Sequence, residues 1–283
     1  GNAMRDLTQG NEAKLLFYFS LPMLIGNVFQ QLYNTVDSII VGNTVGKDAL
    51  AAVGASFPVF FLLTSFVMGI SMGFTILIAQ YFGAKEPNNV KKTINTALIF
   101  LVIASLSLTV IGLLSCKYIL NLLKTPAEIF PAAKDYLSII FSGMLVMFGY
   151  NGISAILRGL GDSKTPLYFL IIATIINIGL DLLFVIVFKW GVKGVAWATV
   201  IAQGVSFLLA FIYLNRSHEF FRIDLKNLTF DWEIFLLSLK IGLPAGIQQM
   251  LVATGFMALT RIVNSFGTDT IAAYTAAGRI DSF

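Results

Sequence analysis

Residues 166–190 read PLYFLIIATIINIGLDLLFVIVFKW, an apolar run with one acid, Asp181, and no base before Lys189. As a helix rising about 1.5 Å per residue, such a run is long enough to cross the roughly 30 Å hydrocarbon core of a bilayer. A carboxylate within it costs roughly 2.5–3.5 kcal/mol on insertion scales, so the position marks a group that carries an ion, a proton or a cationic solute. Asp37 repeats the situation as the lone acid of another long apolar stretch.

The whole chain shares the character of that stretch. Of its 283 residues 57% are hydrophobic and only 12% charged, with mean hydropathy +0.83. A soluble domain carries about 25% charged residues. Apolar runs are expected as spans at about 15–42, 51–82, 93–118, 132–157, 166–190 and 194–214, with a seventh at 234–266 and an eighth opening at Asp269. The first run is too long for a cleavable signal peptide and is followed by more of its kind. The polar stretch His218–Asp231, with Arg222, Asp224 and Lys226, reads as a surface linker.

The fold class predicted is an all-α polytopic membrane protein: a six-helix N-lobe plus the first one to two helices of a parallel-repeat C-lobe. Residues 1–3 read as a cloning remnant, 4–217 as the N-lobe, 218–231 as a cytoplasmic linker, and 232–283 as helix seven and the beginning of helix eight. Lys and Arg are denser on the side of the N-terminus (Arg5, Lys14, Lys85, Lys91, Lys92, Arg158, Lys164) than opposite it, which puts the N-terminus inside a cytoplasmic (inner) membrane. The net charge of +4 suits loop lysines facing anionic headgroups better than a nucleic-acid surface. The one cysteine, Cys116, forms no internal disulfide and no metal cluster.

An internal repeat supports the two-lobe plan. Leu21-Pro22 opens a span followed by Gly46-Lys47-Asp48-Ala49-Leu50-Ala51-Ala52, and Leu243-Pro244 opens one followed by Gly267-Thr268-Asp269-Thr270-Ile271-Ala272-Ala273. Both copies enter from the same side, a parallel repeat with the substrate path expected between halves.

The acids fall at one level. Asp37 and Asp181 both lie in the far half of spans that start inside, and Thr199 is reached early in the sixth span from the other face. Asn177 is four residues before Asp181 and shares its helix face. Three helices thus deliver oxygen ligands suited to a small hard cation, Na⁺, or a shared proton. Burial disfavours the charged carboxylate, so such groups hold a proton until a cation arrives, and ion and cationic cargo compete for one negative cluster. Asn27, Gln30 and Asn34 continue the stripe of Asp37 along one helix face. With Asn151 and with Gln203 (which shares a face with Thr199) they are substrate-path candidates. Interhelical hydrogen bonding alone, at about 0.6 kcal/mol per bond, is the competing reading for Asn27 and Gln203. Pro22 removes a backbone hydrogen bond from the helix of Asp37 and is the candidate hinge, a static packing kink being the other reading.

These residues resemble the multidrug and toxic compound extrusion (MATE) transporters. The resemblance rests on Leu21-Pro22 with Asp37, on Gly46 to Ala52, on the turn Arg158-Gly159-Leu160-Gly161-Asp162 with Thr165-Pro166, and on Asn177-Ile178-Gly179-Leu180-Asp181. It implies two six-helix lobes rocking around a central cleft, exporting small organic cations against inward H⁺ or Na⁺ with no other cofactor. It carries the N-lobe cation site onto Asp37, Asn177, Asp181 and Thr199. It also implies that the chain stops inside the eighth helix and needs the rest of the C-lobe to transport. Leu251-Val252-Ala253-Thr254-Gly255 holds no acid, and Ala258 and Leu259 stand where the repeat would place a second Asp37, so an ion site is expected in the first half only.

Other readings are weaker. A lipid-linked saccharide flippase of the same superfamily is the alternative function, but it would favour a cationic cleft. A membrane enzyme lacks a His cluster, a nucleophile elbow or an acid–base pair, so no enzyme is predicted. His218 reads as a solvated linker residue, and Gly69 with Gly73 as a site of close helix packing.

Overall fold

The computed structural model of the chain describes residues 38–218 and 223–281. Every regular element among them is helical. They are α1 (Lys47–Gly83), α2 (Pro87–Leu122), α3 (Phe130–Ser142), α4 (Met144–Gly159), α5 (Lys164–Asp181) continued by a π-helical turn (Leu182–Val187), α6 (Val192–Ser217), α7 (Trp232–Asn264) and α8 (Thr268–Asp281). Residues 38–44 are helical and precede α1. The calls on Pro22, Asn27, Gln30, Asn34 and Asp37 lie outside the described residues.

Five helices are long and apolar enough to cross a membrane, and α3 with α4 makes a sixth span if the pair is counted as one. Between 22% and 50% of each span's most apolar window is buried within the protein, and the rest is apolar outer surface. Leu114 (71% exposed) and Ile175 (65%) are typical of that outer face. Hydroxyls within the spans donate back to the carbonyl one turn earlier, as Thr64 does to Phe60, Thr174 to Leu170 and Thr199 to Val195. This satisfies them where lipid offers no partner.

The fourth span differs from the expectation of one helix over 132–157. It is broken at Gly143 with a bend of 54°. A Cβ at Gly143 would come within 2.7 Å of Val200 on α6, so the break needs a glycine for α6 to pass.

Helix α1 is the hub. Its small buried residues Ala51, Ala52 and Ala55 admit α3 and α8, and its other half lies along α7. There the expected close packing is seen: a Cβ on Gly69 would strike the backbone of Gly246, and one on Gly73 would strike the Ser238 carbonyl and reach Gly242 N at 3.0 Å. Glycine on both helices removes every side chain from the seam and lets the two backbones touch.

The repeat is visible in the backbone. Gly46 (φ +116°) and Gly267 (φ +100°) each hold a left-handed turn directly before a helix start, a conformation glycine adopts without steric cost. The two helix starts are joined by an ion pair, Lys47 Nζ to Asp269 Oδ1 at 2.6 Å. Beside it Thr268 donates to Glu128 Oε2 at 2.9 Å. Where the linker meets α7, Asp231 caps the helix by accepting from Ile234 N, and its own N–H donates to Thr96 on α2.

Candidate cation site and cargo cavity

Asp181 is fully buried at the last residue of α5, and Asn177, one turn earlier, is 1% exposed. Their four-residue spacing stacks the side chains, and Asn177 Nδ2 donates to Asp181 Oδ2 at 3.1 Å. Immediately after Asp181 the helix widens to its π-helical turn, with Phe188 N–H reaching back five residues to Leu183 O at 2.9 Å. Such turns re-aim backbone groups and recur at functional sites. Phe184, Phe188 and Trp190 close that end, with ring centroids 4.8–5.9 Å apart.

Asp181 lies about 9 Å along the helix from Val187, and Thr199 about 10 Å from Val192, where α6 begins on the same face. α5 packs along α6, so the two residues share a level. Thr199 is half-buried and its hydroxyl donates to Val195 O at 3.1 Å. Val41, Val185 and Val195 belong to one buried apolar cluster. The helical residues 38–44, the π-helical turn after Asp181 and the first turn of α6 therefore meet there, and Val195 is one turn before Thr199.

The proposed path residues part company. Gln203 is half-buried on α6, and its Oε1 has no hydrogen-bond partner among the described residues. Asn151 opens elsewhere, onto a cavity of about 400 Å³ between α1, α4 and α7. Phe60, Phe61, Thr64, Met68, Met72, Met144, Met147, Phe148 and Gln249 line it as well, and none of its lining side chains is charged. Sequence reasoning missed this lining except Asn151. The signal was present in α1, where positions 61, 64, 68 and 72 step at helical spacing with Phe, Thr and Met, but which helices face that stripe is a tertiary fact. Thioethers and aromatic rings adapt to varied apolar shapes.

His218 differs from its reading as a solvated residue. It is half-buried, packed edge-on to Tyr213 with centroids 6.1 Å apart, and its Nε2 is enclosed without a hydrogen-bond partner among the described residues. Burial holds its imidazole below the ordinary histidine value, with the nearby Asp162 opposing. Asp162 is itself fully buried, and its Oδ1 accepts from Thr165 N in the first turn of α5.

A polytopic helical bundle with a buried, amide-paired acid in a spanning helix and a separate uncharged cavity defines an all-α membrane protein. Residues 22–183 match the MatE family, and the chain belongs to it. It is 37% identical over 277 residues to the probable multidrug resistance protein YpnP of Bacillus subtilis (strain 168), covering 98% of this chain and 62% of that protein. Its fold matches an outward-facing structure of a multidrug resistance MATE family transporter of the MOP superfamily with a TM-score of 0.84 at 28% identity, covering 97% of this chain and 62% of that one. An inward-facing structure of such a transporter fits with a TM-score of 0.83 at 26% identity, covering 94% and 61%. The chain thus spans about three fifths of the length of the relatives it matches.

Proposed function

We propose that this chain forms the ion-handling part of an exporter of small organic cations, driven by inward H⁺ or Na⁺ through alternating access between two lobes. It sits in the cytoplasmic membrane with its N-terminus inside. The observation that carries this reading is Asp181, a fully buried carboxylate in a membrane span with Asn177 donating to it. A charge so placed has no use in packing, since an apolar residue would fill the space at less cost. Thr199 and Asp37 complete the set: Thr199 is one turn beyond Val195, which packs with Val41 and Val185 in one buried cluster, and Asp37 joins as the lone acid of the first apolar stretch. Cargo enters the cavity beside Asn151, whose apolar and thioether lining suits flat lipophilic cations of varied shape. The relatives named as multidrug resistance proteins support transport of varied drugs.

The test is efflux of a fluorescent cation from everted vesicles bearing the full-length protein, under imposed pH or Na⁺ gradients. Asp181→Asn and Asp37→Asn are expected to lose the gradient-dependent component by about tenfold or more, as removal of a central ionisable group implies. Undiminished coupling in both variants would sink the proposal.

A further inference from the structure

A second cavity, of about 240 Å³, lies between α1, α7 and α8 and is not lined by Asp181 or Asn151; Phe61 of the Asn151 cavity packs against its Phe57 and Phe256, so the two adjoin. Phe57, Phe256 and Tyr274 rim it, at 43%, 38% and 42% exposed. Phe57 and Phe256 meet edge to face, with centroids 6.4 Å apart and planes at 86°. Two polar groups in this aromatic setting are unanswered. Arg279 lines the cavity, and its Nε is buried with no hydrogen-bond partner among the described residues. Asn264, 4% exposed, spends its Nδ2 on Leu123 O at 2.9 Å, while its Oδ1 is buried and has no partner there. A buried guanidinium N–H and an amide oxygen left open are costly unless something fills them.

We infer that this cavity is a binding site for a small aromatic anion, a flat one- or two-ring body carrying a carboxylate. The carboxylate takes the Arg279 N–H as a charge-assisted hydrogen bond, and a ring substituent bearing N–H or O–H donates to Asn264 Oδ1. The rings lie among Phe57, Phe256 and Tyr274, whose preferred contacts are edge-to-face or offset stacking. Recognition of the carboxylate at Arg279 does not rest on the cation export proposed above.

Direct binding tests this without transport. The chain in neutral phosphatidylcholine nanodiscs is titrated with 2-naphthoate and with its uncharged isostere 2-naphthamide, followed by calorimetry. The acid is expected to bind at least about tenfold tighter than the amide, the usual advantage of a charge-assisted bond over a neutral one. Arg279→Gln should bring the two to equal affinity. Gly278 lines the same cavity, and a Cβ there meets nothing within 4 Å, so Gly278→Leu should fill the space, leave the helix intact and remove binding of both probes. Equal affinity for acid and amide in the unmodified chain, or an unchanged preference in Arg279→Gln, overturns the inference. Nanodiscs containing phosphatidylglycerol should leave naphthoate binding as it was; displacement would assign Arg279 to a lipid phosphate and overturn the small-molecule site.

Discussion

The neighbourhood of Asp181 and the seam between α1 and α7 solve opposite problems inside the same membrane protein. Around Asp181 a charge-bearing group is kept from lipid by an amide partner, a π-helical turn and a lid of aromatic rings. Along the seam the buried Ser238 hydroxyl is satisfied within its own helix, by Phe235 O, and four glycines, Gly69, Gly73, Gly242 and Gly246, press two helices together. The cavity beside Asn151 opens along that seam, and neither Asn177 nor Asp181 lines it. Under the export proposed above, the group that would sense the ion is separate from the surface that would meet the drug. The two regions should respond to mutation in different measurements.

The largest effect is expected at the seam. Gly73→Leu drives a side chain into the Ser238 carbonyl and the backbone of Gly242, with nowhere for the branch to turn. Overpacking of this kind costs about 1–3 kcal/mol. Thermal unfolding of the detergent-solubilised protein should show a clear drop, with Gly73→Ala intermediate. A Gly73→Leu protein as stable as the parent would mean that α1 and α7 do not rely on this contact.

A smaller effect separates the cavity from the acid. Asn151→Leu removes a polar group from the lining of the 400 Å³ cavity. With an intramembrane hydrogen bond worth about 0.6 kcal/mol, dye affinity should weaken by about threefold. The ratio of transport with and without an ion gradient should not move. A change in that ratio, at unchanged dye affinity, would merge the two regions into one site.

Much of this was legible in the residues, and the reasons differ by element. Spans could be read because lipid demands long apolar runs whatever the neighbours do. Asn177 with Asp181 could be read because a four-residue spacing fixes two side chains on one helix face regardless of tertiary context. The Gly69/Gly73 pair was legible as close packing, though its partner helix was not. The bend at Gly143 was hidden, since an isolated glycine in an apolar run is common in membrane helices and the helix that needs the space, α6 with Val200, is remote in sequence. The π-helical turn over Leu182–Val187 has no composition of its own. The cavity is assembled from three helices and exists only in the packed state. The same holds for Arg279, whose sequence neighbours give no hint that its Nε would be enclosed.

The smallest effect comes from the last buried polar group, and it sharpens the contrast with Asp181. His218 is at the edge of the bundle, where burial favours its neutral form and Asp162 pulls the other way. Its folded value is thus below that of the unfolded chain, about 6.5. The unfolded state then takes up a proton first as the pH falls. The stability contributed by neutral His218 is fully present above about pH 6.5 and is lost as the pH drops toward the lowered folded value, below which no further change follows. Melting temperatures at pH 8 and at pH 5.5 should differ more in the parent than in His218→Gln, which cannot titrate. An identical pH dependence in the two would show that His218 is as well solvated folded as unfolded. Because the linker position is outside the spans, ion-driven efflux at fixed pH should be the same in both proteins, unlike the loss expected for Asp181→Asn.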